Sequence, residues 1–413
     1  MSTGTRLSAA NLVLIGICAL IYLLDGLIHS ILGPLAPDMA RSLNLGNADL
    51  GPIFSANLLG QCIGLVVFPL FGRIGQRTIV LISLVGFGLG QAASALADGA
   101  TELIAWRLVT GLFLGGVLPS CLAIVTVVAP AARRGLAIMI LFTGYGLGAT
   151  LAGIVAAAFA DAGGWRGAMI GVGVACLVTA LVAWRWLEVP PTHEAAGDAS
   201  ARKPGALGIV AARYLLGTLM LWLLFVSMLT ISYCLNSWLP TLLVQVGRDQ
   251  AFAALSVSVF SFGGIVAALG VGLLIDRFGA MRTLISFIVL SAISLFLVGQ
   301  VLASASAALL MALLAACGFF VLGAYGGVNV VLAGFYPDDL RAHGIGWAKS
   351  VGRLGTVIAP VLIGWGLSAG ITEASIMSLF AVPALVAVAS LVVIALASAG
   401  RRRAVAEPAA TMR

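Results

Sequence analysis

DRFGAMRT, residues 276–283, and GRIGQRT, residues 72–78, are two versions of one short basic turn, each set between long apolar runs. Each falls between the second and third run of a series of six, so the chain reads as a doubled unit. A second correspondence supports the doubling. Gly135 and Gly146 recur as Gly344 and Gly355 at a constant offset of 209.

Outward from these turns the sequence is almost continuously apolar. Of 413 residues, 61% are hydrophobic and 9% charged, with a mean hydropathy of +1.14. A water-soluble chain carries about a quarter charged residues, so this one has too little polar surface for water. Twelve runs long enough to cross a bilayer lie at 11–32, 50–71, 78–98, 102–127, 135–160, 166–187, 214–238, 250–274, 283–303, 306–334, 345–368 and 375–398. The first run carries Asp25 and lacks a small-residue cleavage site, so it is expected to be retained rather than removed as a signal peptide. The expected fold is an all-α polytopic membrane protein: twelve transmembrane helices in two pseudo-symmetric halves. The one substantial break, EVPPTHEAAGDASARKPGALG (188–208), is rich in Pro, Gly, Ala and charge. It sets an N-terminal half at 1–190, a cytoplasmic linker at 191–213, a C-terminal half at 214–400 and a cytoplasmic tail at 401–413.

Orientation follows from the cations. With the N-terminus inside, sixteen of the 22 Lys and Arg residues fall in cytoplasmic segments and three (Arg41, Arg166, Arg248) outside. That bias places both termini in the cytoplasm. The net charge of +7 is therefore membrane topology, not a nucleic-acid surface. The six cysteines are dispersed through apolar runs without CxxC or Cys/His spacing, and no HExxH, GxSxG or P-loop occurs. Neither an enzyme nor a metal site is expected. GFGLG (86–90) and GYGLG (144–148) follow no strand, so they read as close helix packing rather than nucleotide loops.

The informative residues are the ionisable groups inside spans, which are costly there and tend to face a polar cavity or a partner. Asp25 sits about 20 Å along the first helix from Asn11, with His29 one turn on. Asp25 is either a proton carrier or a packing anchor; the same two roles are open to His29. Arg107 heads WRLVTGLFLGGVLPS (106–120) and either meets an anion or backbone carbonyls within the bundle or snorkels to the boundary. Lys349 and Arg353, in GIGWAKSVGRLGTVIAP (344–360), share a helix face. By the offset of 209 their counterparts are Ile140 and Gly144, both uncharged. The scaffold builds the matching helix without charge, which points to an added task for the pair; for Lys349, snorkelling to the cytoplasm stays open. Tyr233 and Asn236 on span 7, and Tyr325 and Asn329 on span 10, are polar cavity candidates. Trp238 reads more readily as an interface anchor.

With these residues on the page, the chain resembles the major facilitator superfamily. The resemblance rests on the two-half plan, DRFG after span 8 and R-x-x-x-G-x-x-x-G-G in span 4. More narrowly, DG in span 1, NSWLPTLL in span 7 and YPDDLRAHGIGWAKSVGRLG around span 11 are similar to the aromatic acid:proton symporters. Two departures are visible. Asp25-Gly26-Leu27 is followed by Ile28 where the family has a second acid, and the first basic turn has Gly72 where the family has an acid. The resemblance implies a proton-coupled importer of aromatic carboxylates, with the proton as coupling ion and no other cofactor. It implies coupling through Asp25 and His29, and substrate contacts from Arg353, Lys349, Arg107, Tyr325, Asn329, Tyr233 and Asn236. Gating falls to Arg73, Gly75 and Arg77 in the first turn and to Asp276, Arg277 and Gly279 in the second. The protein is expected in the bacterial inner membrane, multi-pass, monomeric, with a carboxylate substrate, lipid as its solvent and no nucleic-acid partner. An exporter of apolar compounds on the same scaffold is the alternative; deep cations with one deep acid argue against a carrier of lipophilic cations.

Overall fold

The computed structural model describes residues 9–70, 74–130, 133–160, 163–187, 209 and 211–410. These residues are mostly helical, joined by short turns, with no strand among them. Twelve helical stretches are long and apolar enough to cross a membrane, as the hydropathy pattern predicts. Large aliphatic and aromatic side chains remain exposed on nearly all of them, for example Val66, Leu181, Leu269 and Leu396. In water such a surface would drive association; in lipid it is the solvated face. The linker at 188–208 and Arg73 lie outside the described residues.

Among the differences from the sequence reading, three stand out, beside helices that run several residues longer at one end, such as α8 to Gln245 and α12 from Asp338. The first helix, α1 (Ala9–Leu43), runs well past Leu32, through Pro34 and Pro37. The fourth span is two helices, α4 (Ala100–Leu114) and α5 (Val117–Val128), broken at Gly115 and Gly116. The twelfth is α13 (Glu373–Leu379) followed by α14 (Ala381–Ala410). Between them run α2 (Asn47–Leu70), α3 (Gln76–Ala93), α6 (Arg134–Phe159), α7 (Gly164–Trp186), α8 (Ala212–Gln245), α9 (Gln250–Phe278), α10 (Ala280–Val301), α11 (Ala307–Phe335) and α12 (Asp338–Ser368).

Packing groups the chain into two compact units. The first takes the described residues of Met1–Gly197, Leu235–Ile265 and Val357–Glu373. Its helices meet backbone to backbone at glycines. A Cβ at Gly148 of α6 would lie 1.9 Å from the Leu23 carbonyl oxygen on α1, and one at Gly144 2.3 Å from that of Ala19. Gly26 of α1 answers from the other side, against the Tyr145 carbonyl at 2.2 Å. Gly60 and Gly64 of α2 do the same against Leu108 and Leu112 of α4, at 2.1 and 2.0 Å. Small residues four apart on one face give this close approach, which brings Cα–H groups onto carbonyls. At the end of the unit where α1 meets α2, Gly33 abuts the Asn236 carbonyl of α8, and Ser55 of α2 donates to the Val357 carbonyl of α12 at 2.6 Å.

The second unit takes Asp198–Cys234, Val266–Thr356 and Ala374–Arg413, again for their described residues. Phe287 of α10 packs against Phe319 and Phe320 of α11, with ring centroids 5.5 Å apart in each case. At its other end Tyr336 is buried over Gly344, and its hydroxyl hydrogen-bonds Thr218 at 2.9 Å. Thr218 in turn donates to the Ile209 carbonyl at 2.7 Å. Burial pushes the Tyr336 phenol up, with the Thr218 bond working against that shift.

Gly148→Leu should lower the melting temperature of the detergent-purified protein sharply, because its side chain meets backbone that cannot turn aside; overpacking of this kind costs about 1–3 kcal/mol or more. Gly16→Leu is the control. A Cβ there meets nothing within 4 Å, and its melting curve should match the parent.

Candidate functional site

Asp25 is buried on α1, and its Oδ1 lies 3.3 Å from Nδ1 of His29, one turn along. Both side chains are nearly inaccessible, at 2% and 4%. Around them stands an aromatic wall that the sequence reading did not single out. Tyr145 of α6 lies 5.2 Å from Tyr22 and 6.1 Å from the His29 ring, centroid to centroid. The spacing of Tyr22, Asp25 and His29, three then four residues, could have revealed the Tyr22 end of it. Tyr145 sits inside GYGLG, where the glycines drew the reading to packing alone.

Arg107 does not snorkel. Its side chain is 0% exposed. It donates from Nη1 to Oε1 of Gln91 on α3 at 2.7 Å, and from Nη2 to the Ile28 carbonyl of α1 at 3.3 Å. Gln91 passes its own amide hydrogen to the Met169 sulfur on α7 at 2.8 Å. Among the described residues no carboxylate lies within salt-bridge distance of Arg107, and its Nε finds no partner. An obligate cation is thus held by dipoles alone, joining α1, α3, α4 and α7. Gln91 follows GFGLG directly, and a polar residue inside a span was the available signal.

In the second unit, α12 arranges its faces cleanly. Leu354, Ile358, Leu362 and Trp365 are exposed and stand within about 60° of Trp347 around the helix. Gly352 and Gly355 press on Phe225, Val226, Leu229 and Thr230 of α8. Lys349 and Arg353 stand about 200° and about 240° round from Trp347, away from the apolar stripe and from the α8 contact. Lys349 is exposed and Arg353 half-buried. Arg353 and Tyr233 of α8 are both within electrostatic reach of Tyr325 on α11, and Arg353 within reach of Lys349. Four predicted residues from three helices are therefore brought together.

Others go elsewhere. Asn329 is half-buried, and its amide donates to the Tyr325 and Gly326 carbonyls of its own helix, each at 3.2 Å. Asn236 belongs to the first unit, where its carbonyl faces Gly33. Trp238 is not an interface anchor: it is fully buried and packs edge-on against Phe54 at 5.3 Å.

The two basic turns also part company. Gly279 takes φ +86° and its N–H closes on the Ile275 carbonyl at 2.8 Å, ending α9 in a conformation only glycine adopts readily. Gly75 has φ −59°, open to any residue. Arg77 donates to the Trp184 carbonyl at the C-terminal end of α7 at 2.5 Å, a favourable place for a cation. Asp276 is exposed, and Arg277 lies over the Phe278 ring at 5.3 Å.

The profile of the Major Facilitator Superfamily matches residues 18–249 and 221–411, and the chain belongs to that family of membrane transporters. It is not an enzyme. Among relatives, the gallate transporter of Pseudomonas putida is 30% identical across 98% of this chain and 95% of its own. The 3-(3-hydroxy-phenyl)propionate transporter of Escherichia coli K12 is 32% identical across 94% and 95%. Among solved structures, the nucleoside transporter NupG superposes with a TM-score of 0.76 over 92% of this chain and 99% of that one, at 13% identity; this likeness concerns the fold alone.

Gln91→Leu removes the main acceptor of a buried guanidinium. It should destabilise the protein by about 2 kcal/mol, read as a lower melting temperature, and Gln91→Glu should recover most of the loss. An unchanged melting curve for Gln91→Leu would show that Arg107 is held by other means.

Proposed function

We propose that this chain imports small aromatic carboxylates together with protons across the bacterial inner membrane, exposing its site to each side in turn. The observation that carries the proposal is the cation face of α12. A membrane helix that could have been uncharged there, as its counterpart around Ile140 and Gly144 is, carries Arg353 within electrostatic reach of Tyr325, which Tyr233 approaches in turn. The relatives named above are transporters of gallate and of a hydroxyphenylpropionate. Both are hydroxylated rings bearing a carboxylate. A guanidinium grips both oxygens of such an anion in a planar fork, and the tyrosines offer ring faces and hydroxyls to the remainder. Lys349 guides the anion on the cytoplasmic side.

Asp25, hydrogen-bonded to His29, takes the proton. A carboxyl cut off from bulk water changes charge at high cost unless something compensates. One proton moving with one monoanion carries no net charge, which fits a chain with a single deep acid. The cation bias supports both termini in the cytoplasm.

Three measurements bear on this reading. In proteoliposomes, Arg353→Ala should weaken gallate affinity about 10- to 100-fold, the range of a lost charge-assisted hydrogen bond. Arg353→Lys should recover little of it, and unchanged affinity in both folded variants removes Arg353 from the site. Asp25→Asn should exchange gallate across the membrane yet fail to concentrate it under a pH gradient; full accumulation assigns the proton elsewhere. A cysteine at Arg277 should react with impermeant maleimide only from the inside and one at Ser306 only from the outside, with the reverse pattern overturning the orientation.

A further inference from the structure

We infer that Tyr145 is a shutter over the Asp25–His29 pair: its ring keeps water from the pair, and the proton leaves to the cytoplasm past it. The inference rests on the transport reading above and adds the residue that controls its proton. The pair is enclosed on several sides. Around Asp25 stand Cys18, Tyr22 and His29 on α1, and Cys121 on α5, which is hydrogen-bonded to Cys18 and within electrostatic reach of Asp25. Arg107 of α4 reaches the same stretch of α1 at the Ile28 carbonyl. All five of these side chains are buried. Tyr145 of α6 lies over Tyr22 and His29 and is only half-buried.

The faces of α6 show where the outer side of Tyr145 looks. Leu136, Leu151 and Ile154 are exposed within about 40° of Leu147 and form the lipid stripe. Gly144 and Gly148, about 60° and about 100° round, press on α1. A third face lies at about 200–280°. Toward the C-terminal end of α6 it is covered by α9, with Gly146 against Ile265 and Gly153 against the Ala254 carbonyl. One turn before Gly146 the same face is bare: Phe142 is 47% exposed and Met139 62%. Tyr145, at about 160°, stands between the α1 contact and this bare stretch. Phe142 continues the aromatic run, edge-on to Tyr22 at 5.7 Å. The bare stretch belongs to the N-terminal end of α6, which the cation bias puts on the cytoplasmic side.

At this level the backbone is clamped. A Cβ at Gly26, the residue after Asp25, would lie 2.2 Å from the Tyr145 carbonyl oxygen, so α1 and α6 cannot part without losing their contact. The element left to move is the Tyr145 ring, and side-chain rotation is far faster than a transport cycle. With the ring in place, Asp25 and His29 form a hydrogen-bonded pair in a dry site, where a change of charge is costly. With the ring swung aside, water reaches the carboxyl. The O–H bond of the acid breaks, water takes the proton, and the same water solvates the carboxylate that remains.

Two measurements on the full-length protein test this. In proteoliposomes under a gradient of about one pH unit, the parent should concentrate gallate up to about tenfold. Tyr145→Ala should exchange gallate at the parent's rate yet bring it only to equality, because a proton site wet throughout the cycle discharges before its anion is carried. Tyr145→Phe keeps the ring and should accumulate as the parent does; Leu147→Ala, on the lipid stripe, is the control. In the second measurement, Asp25→Cys is treated with a small water-soluble methanethiosulfonate and mapped by mass spectrometry. The thiol should be protected with Tyr145 or Tyr145→Phe in place and react readily with Tyr145→Ala. Tyr145→Val carries the same expectations where the alanine variant does not fold. Full accumulation by Tyr145→Ala, or equal labelling with and without the ring, would overturn the inference. Loss of accumulation in Tyr145→Phe as well would place the effect in the hydroxyl and overturn it too. Full accumulation by Asp25→Asn would instead remove the proton reading on which it rests.

Discussion

Apolar side chains in a bilayer have no preference for one another over lipid, so a helix pair must be held by shape and by dipoles. Everything in the first unit depends on meeting that condition at the backbone. Where Gly148 meets the Leu23 carbonyl and Gly26 meets that of Tyr145, α1 and α6 leave no room for a side chain between them. This contact is what sets Tyr145 beside His29 and Tyr22. The surroundings of the buried acid are thus a by-product of packing, fixed by residues that have no side chains.

Two arginines in the same bilayer show how differently a charge can be accommodated. Arg107 is enclosed and met by an amide oxygen and a carbonyl, which turns its cost into a link among four helices. Arg353 is only half enclosed, on a helix face that neither lipid-facing residues nor the α8 contact occupies. A charge enclosed on every side serves the rigidity of the unit around it, and one on an accessible face can also meet a ligand of opposite sign.

The sequence made the architecture plain because crossing length and hydropathy act locally, residue by residue. The same holds for Lys349 and Arg353, whose four-residue spacing puts them on one face whatever surrounds them. What could not be read was anything set by a second helix. Gln91 gives no sign in its own segment that an arginine sixteen residues on will seek it. Trp238 has the composition of an interface residue and is buried because Phe54, far away in sequence, lies beneath it. Asn329 looked available for a substrate, yet its amide is taken up by carbonyls of its own helix turn. The end of α1 escapes its own sequence for a related reason: Pro34 and Pro37 remove helix hydrogen bonds locally, yet the helix continues through both to Leu43.

The two basic turns began, on the evidence of their shared pattern, as copies of one another, yet their glycines now do unequal work. Gly279 bends the chain into a left-handed region that any side chain would strain, and a replacement there is felt at once. Gly75 sits in an ordinary conformation with open space where a Cβ would go. The first copy is therefore free to drift while the second is held to its spelling. Descent from a duplicated ancestor would leave its legible record in the C-terminal half, where DRFG stands, and let it fade in the N-terminal half, where Gly72 stands in the place of Asp276.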